Sequence, residues 1–205
     1  MKILEKAEIN PIVTNLIESY RYGTLEKVEV PQLYGIGATK EVLMRIITLI
    51  NDLIETFSDG IQFTDISYLF THIDDIIVIG KHYQEAKLEV SELSHKEQIE
   101  LINFLSNKLI HIIKPLQSAS GNIYSIKNID KFICQFKKLI QDGIKIFHDG
   151  MQVRDIPALL SLAMLMTEIA FNMKDVLNEL KDLNDEELIN VISLITEMIY
   201  ELIAE

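Results

Sequence analysis

The chain has 205 residues, 48% of them hydrophobic, with a formal net charge of −12. Core material is ample for one domain or two small ones packed together, and the acidic balance excludes binding a phosphate backbone or an anionic membrane through charge. The single cysteine, Cys134, excludes an internal disulfide and fits a reducing compartment.

Residues 1–33 form an N-terminal arm. Met1 to Glu8 lacks the long apolar core of a signal peptide, so secretion by that route is not expected. Asn10-Pro11 opens a short predicted helix with Ile12, Leu16, Ile17 and Tyr20 on one face and Gly23 near its end. Lys27-Val28-Glu29-Val30-Pro31 alternates and then breaks, as an extended strap does. Gly35-Ile36-Gly37-Ala38-Thr39-Lys40 lacks the Gly-Lys-Ser/Thr order of a phosphate loop and reads as a flexible entry into a helix.

The spacing of Val42, Ile46, Leu49, Ile50, Leu53, Ile54 and Phe57 predicts a helix over about 41–57. Asp59-Gly60 then marks its end, where glycine tolerates positive φ, and Asp65 marks the start of a second helix of four to six turns. Ser94-His95-Lys96-Glu97 has the form of a capping box and opens a third helix, with Ile99, Ile102, Leu105, Leu109 and Ile112 as its apolar stripe. Residues 114–123, rich in Pro, Ser and Gly, are a linker.

After the linker the pattern returns. Asp59-Gly60-Ile61-Gln62-Phe63-Thr64-Asp65-Ile66 is matched ninety positions later by Asp149-Gly150-Met151-Gln152-Val153-Arg154-Asp155-Ile156. The register holds without a gap in both directions. Leu49, Asp52 and Phe57 meet Leu139, Asp142 and Phe147, while Glu89, Leu93 and Glu97 meet Glu179, Leu183 and Glu187. Helices are therefore expected over 131–147, from Asp155 with Pro157 in its first turn, and from Asn184-Asp185-Glu186-Glu187 onward. The fold class is all-α, with two tandem three-helix units from an internal duplication, 34–113 and 124–205, behind the arm. Asp59, Gly60, Asp65, Asp149, Gly150 and Asp155 are its structural corners.

Few residues suggest chemistry. Registering Gly60 on the glycine of a calcium loop puts Glu55, Phe57 and Ile66 at ligand positions; the second copy offers Lys145, Phe147 and Ile156, so no calcium is expected. His72 and Asp75 share a helix face beside Asp74, but no third metal ligand stands at helical spacing, and a solvated face is the expectation. Cys134 aligns with Met44 and is expected to be a buried small hydrophobe. No nucleophile–base spacing stands out, so no catalytic, cofactor-binding or metal residue is assigned and the chain is expected not to be an enzyme. The most apolar run, Ile156 to Phe171, is interrupted by Glu168 and is too short to span a bilayer. Its core differs from the first copy, where Thr71-His72-Ile73-Asp74-Asp75 carries charge. An apolar surface there needs a cover, either the N-terminal arm folding back or a partner, and Leu162, Met164 and Leu165 are therefore candidate partner contacts.

Phe147-His148-Asp149-Gly150, Asp155-Ile156-Pro157-Ala158-Leu159-Leu160, and Glu179-Leu180-Lys181-Asp182-Leu183 followed by Glu186-Glu187 resemble a pattern in small helical proteins of tailed bacteriophages. The resemblance covers residues 140–200 and, more loosely, 50–105. It implies a virion or assembly component, in the particle or the host cytoplasm, bound to itself or to other virion proteins, without nucleic acid or membrane. The residues alone also admit an intracellular helical adaptor that binds a protein partner.

Overall fold

The computed structural model describes residues 6–26, 35–58, 71–118, 126–150 and 152–204. Among them are seven α-helices and no strand: α1 Lys6–Arg21, α2 Gly37–Thr56, α3 Ile73–Glu92, α4 His95–Ile113, α5 Lys127–Phe147, α6 Ile156–Asp182 and α7 Asp185–Ala204. Short 3₁₀ turns, Lys114–Leu116 and Val153–Asp155, follow α4 and precede α6. The strap Lys27–Pro31 and three of the predicted corner residues, Asp59, Gly60 and Asp65, lie outside the described residues.

The periodicity that marked α2 does place its apolar side chains inward: Val42, Ile46, Leu49, Ile50, Leu53, Ile54 and Phe57 are all buried. Neither α2 nor α5 is capped by its own preceding residue, an isoleucine in both cases. The free N–H groups of their first turns are met from a distance by a carboxylate of the following helix. Ala38 and Thr39 N–H donate to Glu89 at 3.1 and 2.7 Å. Asn128 and Ile129 N–H both donate to Glu179 at 2.9 Å. Donor and acceptor are each ninety residues on in the second set. A buried helix start needs such partners, and an anion there also meets the positive end of the helix dipole.

The two expected capping boxes open α4 and α7. Ser94 N–H donates to Glu97 at 2.8 Å, and the Glu97 N–H returns to Ser94 Oγ at 3.4 Å. That bonding to Ser94 holds the Glu97 carboxyl below its ordinary range. Asn184 and Glu187 exchange the same pair of bonds, each at 2.9 Å. Beyond the caps, α4 is buried on more than the single stripe its spacing suggested, and α7 is buried just as widely. Leu101, Phe104, Leu105, Ser106 and Ile110 are inaccessible on α4, as are Val191, Ile192, Ser193, Thr196 and Tyr200 on α7. The two helices touch each other, with Ser106 Oγ 3.2 Å from Thr196 Oγ1. Residues related by the offset of ninety thus meet directly.

The N-terminal helix covers this central pair. It begins at Lys6 rather than at Asn10, with Pro11 on its exposed side, and its most buried line is Ile9, Val13 and Ile17. Ile12, Leu16 and Tyr20 flank that line. Arg21 pairs with Asp185, Tyr20 meets the edge of the His111 ring at a centroid distance of 5.6 Å, and Asn107 Nδ2 donates to Glu26 O at 3.0 Å. The start of the linker is pinned as well, with Ser118 N–H bonded to Lys181 O at 2.7 Å.

A second contact joins the helices outside that pair. Gly80 of α3 and Gly143 of α5 let these two helices approach until Ile76 and Phe147 fill the space a Cβ would need. At the positions ninety residues away, Ala170 and Leu53, the side chains hold α6 and α2 apart. A small cavity of about 10 Å³ remains there, lined by Leu49, Leu53, His72, Phe136, Leu139, Met166 and Ile169.

Candidate functional site

The described corner before α6 behaves as its residues dictate. Gly150 adopts φ +84°, a conformation that glycine alone enters without strain. Asp155 precedes α6, yet its carboxylate does not cap that helix. It turns back to accept the Gln152 N–H at 2.7 Å, closing the 3₁₀ turn, while Asp149 pairs with Arg154 at 3.4 Å. Pro157 stands in the first turn of α6 as expected. The helix then runs 27 residues, longer than the four to six turns anticipated, because no glycine or proline interrupts it before Asp182. With its 3₁₀ turn, Val153–Asp182 is long and apolar enough to cross a membrane by length and composition, which the shorter run Ile156 to Phe171 was not.

The inner side of α6 belongs to the core: Leu162, Met166, Ile169, Ala170, Met173, Val176, Leu177 and Leu180 are buried. Its outer side is apolar too. Val153 is 83% exposed, Ile156 52%, Leu160 64%, Met164 74% and Phe171 59%. From Ile156 onward these recur at intervals of four, four and seven, the spacing of one helix face, and Val153 stands in the 3₁₀ turn just before it. Beside them runs an open groove of about 800 Å³, walled on the α5 side by Lys138 and on the α6 side by Leu160, Met164, Leu165, Glu168 and Phe171.

Of the three candidate contacts, only Met164 lies fully on this face. Leu165 is half-buried, and Leu162 is core, 2% exposed. The reason is angular. Residues two apart sit about 200° round a helix from each other, so Leu162 and Met164 cannot share a face. Counting by three and four from Met164 would have found Leu160, Ile156 and Phe171 instead. Ninety residues earlier, the positions of Met164 and Phe171 are Asp74 and Lys81, both exposed on α3.

His72 and Asp75 are not the solvated face their spacing suggested. Asp75 is 8% exposed and only Asp74 points outward. His72 Nδ1 lies 3.1 Å from Asp75 Oδ2 and 3.5 Å from Asp52 Oδ2 of α2, a neighbour that helical spacing could not reveal. On the other Asp75 oxygen, Arg45 Nη1 donates at 2.8 Å, and Arg45 Nε reaches Glu41 at 2.9 Å. The hydrogen bond to Asp75, then that to Glu41, raises the Arg45 guanidinium above its ordinary pKa. This is a partly buried charge network tying α2 to α3. Among the described residues no three His, Cys, Asp or Glu side chains are arranged to hold a metal ion.

Cys134 is exposed, against expectation. It lies two residues from both Phe132 and Phe136, which face the core, and so points away from it. No protein-family model, curated protein or solved structure matches the chain.

Proposed function

We propose that this is a non-enzymatic structural or assembly protein that works through protein–protein contact, with the outward face of α6 as its contact surface. One observation carries the reading: four large apolar side chains, Ile156, Leu160, Met164 and Phe171, each more than half exposed, stand in line along α6, with Val153 exposed in the 3₁₀ turn before it. Scattered exposed apolar residues need no explanation, but a contiguous row of them is a feature of binding surfaces. In this reading residues 34–113 and 124–203 descend from one duplicated three-helix unit. The paired carboxylate caps Glu89 and Glu179, the paired capping boxes and the Ser106–Thr196 contact support that origin. The motif resemblance in residues 140–200 supports a tailed-phage particle, or its assembly in the host, as the setting.

The test is a photo-crosslinking residue at Met164, with Lys96 as control, in the full chain expressed among its native neighbours. The side chain of Lys96 is 87% exposed. Protein adducts are expected from position 164 and not from position 96. Adducts from both alike, or from neither, would overturn the reading.

A further inference from the structure

We infer that the cleft beside the close crossing of α3 and α5 binds a small carboxylate with an apolar body. The crossing makes the cleft. Gly80 and Gly143 bring the two helices into contact, and the larger side chains next to them stand apart. Tyr83 and Gln84, three and four residues past Gly80, share its face of α3. Gln141, Ile144, Lys145 and His148 follow one another at the spacing of a single face at the end of α5. With Leu202 of α7 they line an open cleft of about 410 Å³, a size usual for small-molecule sites. It shares no lining residue with the groove on α6.

The lining divides into an apolar floor and a polar rim. Leu202 is buried, and Ile144 packs half-buried against the core. Around them stand a phenol, two amides, an ammonium and an imidazole, and no carboxylate. The acids within two residues of a lining position are Glu85, Asp142, Asp149 and Glu201. Glu85 lies 3.9 Å from His82, Asp149 pairs with Arg154 at 3.4 Å, and Glu201 with Lys137 at 2.7 Å. Asp142 holds Lys145 itself at 3.3 Å, but that lysine side chain is 74% exposed, and so exposed a pair is weak enough for a ligand to displace. The Gln84 and Gln141 side chains have no hydrogen-bond partner among the described residues. His148 Nδ1 lies 3.0 Å from Lys145 O, which can only accept, so Nδ1 carries a proton. Free carbonyls at a helix C-terminus repel an anion. Here Ile144 O accepts the His148 N–H at 3.0 Å and Phe147 O the Gly150 N–H at 3.3 Å. The rim therefore offers donors, the complement of a carboxylate, above a floor that suits an aliphatic body. Positions ninety residues away separate the rim from what helix packing requires. Ile54 and Ile112 stand for Ile144 and Leu202, so the floor is kept. Met173, Lys174, Asn51, Glu55 and Ser58 stand for Tyr83, Gln84, Gln141, Lys145 and His148, so the rim is not.

Side-chain amide NMR of the full chain titrated with hexanoate tests this, with hexanamide and hexylamine as probes of equal length. Saturable shifts of the Gln84 and Gln141 amide signals are expected, with hexanoate held at least about tenfold tighter than either other probe. Lys145→Glu installs the residue found at position 55, so the melt should be kept while hexanoate weakens at least about tenfold. Lys96→Glu, the same charge change on α4, should leave the titration as in the parent chain. Absence of a saturable shift, or an equal response to hexanamide or hexylamine, would overturn the inference. So would a Lys145→Glu chain that binds as the parent does, or one weakened no more than Lys96→Glu. The parent chain's choice among the three probes decides the matter even if Lys145→Glu fails to fold.

Discussion

Replacing Gly143 by alanine adds a single methyl group to a crossing that has no room for it. The new Cβ would collide with Ile76 Cγ2, and Ile76 is fully buried, so its methyl has no solvent to turn toward. Two opposing effects set the magnitude. Alanine in a helix interior gains up to about 1 kcal/mol over glycine. Overpacking a filled core costs about 1–3 kcal/mol. Ile76 is branched at the atom next to the clash and cannot bend aside, which puts the cost in the upper half of that range. The net effect is a loss of about 1–2 kcal/mol, or roughly 3–6 °C in melting midpoint for a chain of this size. Gly80→Ala meets Phe147 Cβ at 2.7 Å and the Phe147 backbone carbon at 3.4 Å, so it should lose at least as much. Gly37→Ala is the control: nothing lies within 4 Å, and it should be neutral or slightly stabilising. The assay is thermal and urea unfolding by circular dichroism. Ile76→Ala removes the colliding methyl, so the double variant should show a coupling of about 1 kcal/mol in a double-mutant cycle. If Gly143→Ala raises the midpoint as Gly37→Ala does, α3 and α5 separate freely and the close-crossing account is wrong.

Burial pushes the Tyr200 hydroxyl up to about 12 from an ordinary value near 10, so the folded chain keeps a proton that the unfolded chain loses. Stability is therefore fully present below about pH 10 and falls as pH rises from there toward about 12, by about 1.4 kcal/mol per pH unit. Tyr200→Phe should remove that slope in urea midpoints measured from neutral to alkaline pH. It should also cost nothing at neutral pH, because this hydroxyl has no hydrogen-bond partner among the described residues. Glu179→Gln should lower stability by about 1–2 kcal/mol through loss of charge at the α5 N-terminus, and an unchanged melt would show that water replaces the cap. Gly150→Val should cost about 1 kcal/mol or more through its positive φ alone, since no neighbour stands within 4 Å; an unaltered melt would refute the strain. Leu162→Asp should unfold the chain while Met164→Asp leaves the melt unchanged, and equal effects would contradict their opposite facing on α6.

What the sequence made legible was local. Apolar spacing marked the buried line of α2, Ser94 and Asn184 marked two helix starts, and Gly150 marked a turn, because each depends on residues within a few positions. What it hid depends on neighbours far along the chain. Glu89 and Glu179 stood out as matching residues, but their partners are the N–H groups of a helix start about fifty residues earlier. Gly80 and Gly143 look like ordinary helix-weakening glycines until α3 and α5 are set against each other. Asp52 joins His72 from another helix, and the single stripe on α4 gave no sign that α1 would cover a second side.

The outward face of α6 escaped for a different reason. A helix apolar nearly all round reads as one covered on all sides, and composition alone does not say which of Leu162, Met164 and Leu165 faces outward. Only the packing direction separates Leu162, which α6 needs for its own core, from Met164, which it does not. The offset of ninety sharpens that separation. On α3 the matching positions carry Asp74 and Lys81, both exposed, on a helix that packs against α2 as α6 packs against α5. The packing of such a helix therefore tolerates charge on its outer side. Met164 and Phe171 add nothing to the packing of α6 on α5 that aspartate and lysine do not supply on α3. That difference between the two helices is why the proposed contact surface is placed on α6 and not on α3.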